Sequence, residues 1–125
     1  MSNSHITDIE DMLRLFSEID THHLKAKSFP SKKVYISGSI TFTNGHQLAF
    51  TEVLKVGADS KAKYRYQYMD EKQVMIFRYD NAQHHQHLSN FPHHKHTAAQ
   101  IIASEEPSLR DILLEITELM RDSGQ

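Results

Sequence analysis

The chain has 125 residues, no cysteine and a formal net charge of −2. The absence of cysteine excludes disulfides, thiol nucleophiles and zinc fingers. A chain of this length can bury a core without a structural metal, so we expect residues 1–125 to form a single domain. There is no apolar run near the roughly 20 residues of a membrane helix, and no signal-peptide pattern at the start. We therefore expect a cytoplasmic protein without a membrane span.

The charges are distributed unevenly along the chain. Residues 1–20 carry five acidic side chains and one basic one, and residues 104–125 carry six and two. Residues 21–103 carry eleven basic and five acidic side chains, with nine of the ten histidines. One interpretation is that the ends form helices with solvated acidic faces. The other is that the middle of the chain offers a basic surface to an anion, more so as histidines protonate.

The first predicted element is an amphipathic helix. Apolar side chains at positions 6, 9, 13, 16 and 19 recur at steps of three and four. Thr7 and Glu10 have the spacing of a capping box. Residues 21–33 are polar and include a proline, which predicts a connector.

Four strands are predicted next. Residues 34–43 alternate between apolar and polar side chains, and Asn44-Gly45 then gives the strongest short hairpin signal. Residues 46–56, 61–69 and 73–81 continue the pattern, separated by turn residues. The region is typical of an antiparallel meander.

The last third begins with the histidine-rich residues 81–96, which lack a clear period and contain Pro92. They predict a long loop, followed by a short strand near residues 100–104. A second amphipathic helix should start after Ser108, with Asp111 three residues on. The predicted fold class is α+β: an N-terminal helix, an antiparallel meander of four to five strands, a His-rich loop and a C-terminal helix. The helices should cover one face of the sheet.

The histidine-rich segment contains the word HHxH twice, at residues 84–87 and 93–96. Imidazoles can supply the general base and general acid for RNA cleavage by its own 2′-hydroxyl. Arg78 and Lys95 could stabilise the phosphorane oxygens, and Asp80 could orient one imidazole. The proton-transfer candidates are His84, His85, His93, His94 and His96. Alternatively, two pairs of alternate histidines could bind a metal, or the segment could be a solvated loop that binds zinc or nickel adventitiously.

Three charged side chains interrupt the apolar patterns of their strands. Glu52 lies between two apolar positions, and Arg78 and Asp80 follow the apolar positions 74 and 76 at even spacing. A carboxylate on an apolar face needs a partner, and Arg78 is the predicted partner of Glu52. A structural ion pair and a catalytic acid both fit this pattern.

Residues 63–68 alternate between basic or polar side chains and tyrosines. Tyr66 could stack on a nucleic-acid base while Lys63 and Arg65 bind phosphates. The alternative is that the tyrosines pack under a helix and the basic side chains are solvated.

Three segments together resemble one family. They are "RYDNAQHH" at residues 78–85, "FPHHKH" at residues 91–96 and "SEEPSLRDILLEI" at residues 104–116. The combination resembles the TumE-type toxins of bacterial toxin–antitoxin systems. The pattern expected there is R-[YW]-D-N-A-P-H-H, then F-P-H-H-x-H, then a P-x-L helix start. Gln83 stands where that pattern has proline. The resemblance extends back through residues 35–54 and so covers nearly the whole chain.

The resemblance implies a toxin with a neighbouring antitoxin gene, and it favours a site over a solvated loop in the His-rich segment. Three hypotheses remain open: a metal-independent ribonuclease, a non-catalytic module that binds nucleic acid or an antitoxin, and a metal-binding protein. The expected partners are an antitoxin protein and RNA, with a second copy of the chain as a further candidate. No cofactor is expected. The candidate catalytic residues are Glu52, Arg78, Asp80, His84, His85, His93, His94, Lys95 and His96.

Overall fold

The computed structural model describes residues 2–82 and 91–123. Helix α1 (Ser2–Leu13) precedes an antiparallel sheet of seven strands, and helix α2 (Leu109–Ser123) follows it. The strands are β1 (Ile19–Phe29), β2 (Lys33–Phe42), β3 (Gln47–Lys55), β4 (Lys63–Met69), β5 (Met75–Asp80), β6 (His94–Thr97) and β7 (Ile101–Ala103). Each strand pairs with the next one along the chain. The predicted α+β class is confirmed, with more strands than the predicted four to five.

Strand β1 replaces the predicted connector at residues 21–33. Helix α1 ends at Leu13 and not near residue 19, and it begins before Thr7, so the predicted capping box is wrong. The polar side chains of β1 hid its alternation, but Leu24 and Ala26 are less exposed than their neighbours. Pairing with β2 along nearly its whole length satisfies one edge of the β1 backbone.

Strand β6 occupies part of the segment that was predicted to be a loop. His94–Thr97 pairs with β5 on one side and with β7 on the other. A strand with polar side chains on both faces has no apolar alternation, so its sequence carries no strand signal. Strand β7 confirms the short strand predicted near residues 100–104.

The predicted hairpin and the cap predicted for the second helix are confirmed. Asn44-Gly45 connects β2 to β3, and Gly45 has a φ of 87°, which a glycine adopts without a steric penalty. At the start of α2, the Ser108 amide donates to the Asp111 carboxylate at 2.9 Å, and the Asp111 amide donates to the Ser108 hydroxyl at 3.1 Å. This reciprocal pair is a capping box with aspartate in the acidic position.

One face of the sheet, here called the helix-covered face, packs against both helices. Its buried side chains include Ile36, Ile40, Phe42, Leu48, Phe50, Tyr64, Tyr66, Tyr68 and Phe77. Helix α1 contributes Ile9 and Leu13 to this core, and α2 contributes Leu109, Ile112, Leu113 and Ile116. The opposite face is called the distal face. Within the described ranges, no helix is long and apolar enough to span a membrane.

Candidate functional site

Strand register brings four of the predicted site residues together. Arg78 lies opposite His96, and Asp80 lies opposite His94, in the β5–β6 pair. Residues directly opposite each other in an antiparallel pair project from the same face. All four side chains therefore share the distal face, and we call them the Arg–Asp–His cluster.

Asp80 is the hub of the Arg–Asp–His cluster. Its carboxylate accepts hydrogen bonds from Arg78 Nε at 3.0 Å and from the Ala82 amide at 3.1 Å. Its two oxygens also lie 2.7 Å from His94 Nε2 and 3.5 Å from His96 Nε2. Asp80 is buried, and a buried carboxylate is stable only with such partners. The four side chains thus depend on one another for their positions.

His94 has a fixed orientation. The ring is 2% exposed, and its Nδ1 lies 2.8 Å from the carbonyl oxygen of Pro92. A carbonyl oxygen only accepts hydrogen bonds, so Nδ1 carries a hydrogen and Nε2 faces Asp80. The contact between His94 Nε2 and the Asp80 carboxylate is favourable if Nε2 donates a hydrogen bond to the carboxylate. It is also favourable if a metal cation binds both atoms.

Arg78 is the most exposed side chain of the cluster, and His96 contacts it. Arg78 Nη2 lies 3.2 Å and 3.3 Å from the two ring nitrogens of His96. The exposed fraction of the side chain is 28% for Arg78 and 12% for His96, against 2% for His94. The guanidinium is therefore partly open to solvent, and the His96 imidazole lies beside it. The imidazole can transfer a proton, and the guanidinium can stabilise negative charge.

The same cluster has the composition of a metal site. One ligand atom each from Asp80, His94 and His96 lies within 4.8 Å of the other two. Two imidazoles and a carboxylate suit a transition metal ion. The contact between His94 Nδ1 and Pro92 is of the kind that orients metal-binding histidines. Arg78 argues against a metal, because its guanidinium donates to the same carboxylate and its positive charge would repel a cation.

A comparison with known protein families gives one match. The model of a family described as "Toxin TumE" matches residues 9–122, nearly the whole chain and all four cluster residues. The chain belongs to the TumE toxin family. Its function is therefore toxin-like. Comparisons with curated proteins and with solved structures found no match.

In this TumE-family chain, Glu52 lies on the helix-covered face. Its carboxylate accepts a hydrogen bond from the Tyr66 hydroxyl, within the core. Burial and the neighbouring carboxylate raise the pKa of Tyr66 well above its usual value, so its hydroxyl remains a donor. The prediction that Arg78 pairs with Glu52 is wrong, because the two side chains project from opposite faces. In β5, Phe77 and Tyr79 project from the helix-covered face, whereas Val74 precedes the strand and is exposed.

Lys95 also lies away from the Arg–Asp–His cluster. Side chains alternate along a strand, so the lysine between His94 and His96 projects from the helix-covered face. Its Nζ donates to Glu115 of α2 at 2.7 Å and lies 5.0 Å from the ring centroid of Tyr79. Lys95 therefore anchors α2 to the sheet, and its geometry does not support the predicted phosphate contact.

His93 contacts Tyr64 on the helix-covered face of the sheet. Its Nδ1 lies 2.8 Å from the Tyr64 hydroxyl, and the two rings stack with centroids 5.8 Å apart. Burial raises the pKa of Tyr64, which keeps the phenol protonated. His84 and His85 lie outside the described residues, so their role as proton-transfer groups stays a prediction.

The three residues that were predicted to contact nucleic acid lie on different faces of the sheet. Lys63 and Arg65 are exposed on the distal face, whereas Tyr66 is fully buried and has no ring face for a base. The tyrosines of β4 do pack under the helices, as the alternative interpretation had it. Arg65 lies opposite Asp80 in the β4–β5 pair and so borders the cluster.

A groove beside the cluster was not predicted. It has a volume of about 480 Å³ and crosses the distal face from β1 to β4. Its polar lining residues include His23, Lys25, Ser37, Thr51, Arg65 and Gln67. The only signal in the sequence was the alternation of His23, Lys25 and Lys27 in a segment that was interpreted as a connector.

Proposed function

We propose that this TumE-family toxin cleaves RNA without a required metal ion. The observation that carries the proposal is the Arg–Asp–His cluster, in which one buried carboxylate holds a partly exposed guanidinium beside an imidazole. This set contains a proton-transfer group, an anion-binding group and a group that orients both. Metal-free cleavage of RNA needs these three properties.

In the proposed reaction, His96 removes the proton from a ribose 2′-hydroxyl. The 2′-oxygen forms a bond to the adjacent phosphorus, and the bond from phosphorus to the 5′-oxygen breaks. Arg78 stabilises the negative charge on the phosphorane oxygens. The leaving 5′-oxygen takes a proton from a second imidazole, for which we propose His84 or His85. The products are a 2′,3′-cyclic phosphate and a 5′-hydroxyl.

Asp80 and His94 have positioning roles in this proposal. Asp80 holds Arg78 through Nε and lies beside His96, which limits the orientations available to both. His94 is too buried to meet a substrate, and it links Asp80 to the backbone at Pro92. Such fixed geometry lowers the reorganisation that the reaction requires.

The partner of this toxin is proposed to be an antitoxin protein, as membership in a toxin family supports. An antitoxin that covers the distal face would block the accessible side of the Arg–Asp–His cluster. The site and the inhibitory surface would then coincide.

The test is a cleavage assay with purified protein and a defined RNA in excess chelator. We expect cleavage to persist, to yield cyclic phosphate ends, and to stop when the ribose at the cleaved position lacks its 2′-hydroxyl. His96→Ala should lower the rate by about 10²- to 10⁴-fold. His5→Ala, on α1 at the helix-covered side, is the matched control and should cleave normally.

A metal-dependent site is the second candidate, because the Asp80, His94 and His96 ligand atoms already lie close together. It predicts that chelator abolishes cleavage and that one divalent ion restores it. It also predicts that Arg78→Ala, which removes a competing positive charge, strengthens metal binding. If the protein cleaves no RNA with or without metal but still binds RNA, the chain is a non-catalytic binding module.

A further inference from the structure

The distal face of β1 to β4 carries a concentrated positive charge. Cross-strand partners place six basic side chains there: Lys25, Lys27, Lys33, Lys55, Lys63 and Arg65. These four strands are described throughout, and from Thr21 to Met69 they place no carboxylate on this face. A polyanion is the partner that fits such a surface.

The side chains on this face form rows that run across the strands. In one row, Lys25, Ser37, Thr51 and Arg65 are successive partners, and Asp80 and His94 continue it. Neighbouring strands lie about 4.8 Å apart, so Lys25 and Asp80 are about 19 Å apart across four strand steps. The groove of about 480 Å³ follows the part of this row that lies on β1 to β4. A chain of phosphates lying along it would reach the Arg–Asp–His cluster.

An exposed aromatic pair borders the same row. Phe29 and Tyr35 contact edge to face, with ring centroids 4.9 Å apart, and are 36% and 44% exposed. Lys27 Nζ lies 5.2 Å from the centroid of the Phe29 ring. Aromatic rings next to basic side chains on a sheet are the combination that stacks unpaired bases and holds their phosphates. The tyrosines of β4 cannot do this, because they are buried.

We propose that the distal face binds single-stranded RNA, with Tyr35 and Phe29 stacking an unpaired base and Lys25 and Arg65 holding phosphates. The inference rests on the proposed function for the choice of RNA as ligand. A duplex is disfavoured because its bases stack on one another and leave none for Tyr35. The stacked base would lie roughly 16 Å from Asp80, three strand steps across and two residues along, so the ligand must extend over more than one nucleotide.

The test uses the His96→Ala protein, in which cleavage is expected to be about 10²- to 10⁴-fold slower, so that binding is measured with little turnover. Fluorescence anisotropy follows a labelled single-stranded RNA of about 12 nucleotides, within the range that such surfaces cover. Adding Tyr35→Ala should weaken binding at least about fivefold, whereas Tyr35→Phe should bind normally. Leu15→Ala, another exposed apolar side chain, is the matched control for Tyr35→Ala.

Charge is tested separately. The double change Lys25→Ala and Arg65→Ala should reduce the salt dependence of binding, by about 1.4 in the logarithmic slope if both side chains contact phosphate. Lys72→Ala, in the turn between β4 and β5, should leave that slope unchanged. Each variant is accepted only if its melting temperature matches that of the His96→Ala parent.

The two proposals can fail independently. Unchanged binding by Tyr35→Ala, or equal affinity for the duplex form of the RNA, overturns the stacking inference even where the wild-type protein cleaves RNA. Binding of an acidic peptide but not of RNA overturns it in favour of a protein ligand. Retained, Tyr35-dependent binding with no cleavage under any condition supports the RNA-binding face and refutes the ribonuclease.

Discussion

Tyr66→Phe is the sharpest test of how the core holds a carboxylate. The Tyr66 hydroxyl donates to Glu52, and the two residues are 0% and 7% exposed. The substitution removes one hydroxyl and keeps the ring, so it leaves only a small gap. Its main effect is to deprive a buried carboxylate of its donor.

The expected loss follows from that geometry. A buried acceptor left without its donor costs about 1–3 kcal/mol, and a charged acceptor costs more. We therefore expect Tyr66→Phe to lower the free energy of unfolding by about 2–3 kcal/mol. For a domain of this size, about 4 °C of melting temperature corresponds to 1 kcal/mol, so the midpoint should fall by about 8–12 °C. Combining Tyr66→Phe with Glu52→Leu should cost much less than the sum of the two single changes.

Urea and thermal unfolding of the four proteins measure this cycle. Tyr35→Phe is the matched control, because it removes a hydroxyl from an exposed tyrosine and should change stability by less than about 0.5 kcal/mol. Toxicity should persist in Tyr66→Phe at a temperature where the variant is folded, since Glu52 and the Arg–Asp–His cluster occupy opposite faces.

Two results would refute this reasoning. A Tyr66→Phe protein as stable as the wild type would show that the hydroxyl does not support the carboxylate. A Glu52→Gln protein that is stable but has lost toxicity would give Glu52 the catalytic role that its burial argues against.

The remaining predictions concern packing, capping, pH and the helix anchor. Gly38→Ala should lower the free energy of unfolding by about 1–3 kcal/mol in urea, because the added Cβ would lie 2.6 Å from a Leu24 side-chain carbon and 2.9 Å from the His23 carbonyl oxygen. An unchanged urea midpoint would mean that β1 does not lie so close to Gly38. Ser108→Ala should lose about 1 kcal/mol by removing the α2 cap, which a drop in melting temperature of about 4 °C would register. Burial raises the pKa of all three tyrosines of β4, so above about pH 10 the unfolded chain releases protons that the folded chain keeps. Stability should therefore be insensitive to these groups below pH 10 and fall by about 1 kcal/mol for each of Tyr64 and Tyr66 by pH 11, as urea midpoints at pH 8, 10 and 11 would reveal. Lys95→Met should lower stability slightly and leave RNA cleavage unchanged; lost cleavage in a folded variant would place Lys95 at the site.

Local patterns predicted much of the fold. The four strands of the central meander, the Asn44-Gly45 hairpin and the capped C-terminal helix all follow from side-chain period, turn chemistry and capping, which act over a few residues. The same patterns missed β1 and β6. Those strands carry few apolar side chains, and cross-strand pairing stabilises them more than their own sequences do.

The candidate site depended on tertiary structure. The sequence by itself supplied the residue types Arg78, Asp80, His94 and His96, and it grouped them with Lys95 and Glu52. The alternation of side chains separates Lys95 from its two neighbours, and the sheet places Glu52 on the opposite face. Only the pairing of β5 with β6 sets Asp80 beside His94 and Arg78 beside His96. Register joins residues that are distant in the chain, and no short-range pattern encodes which strands pair, so this arrangement could not be read from the sequence.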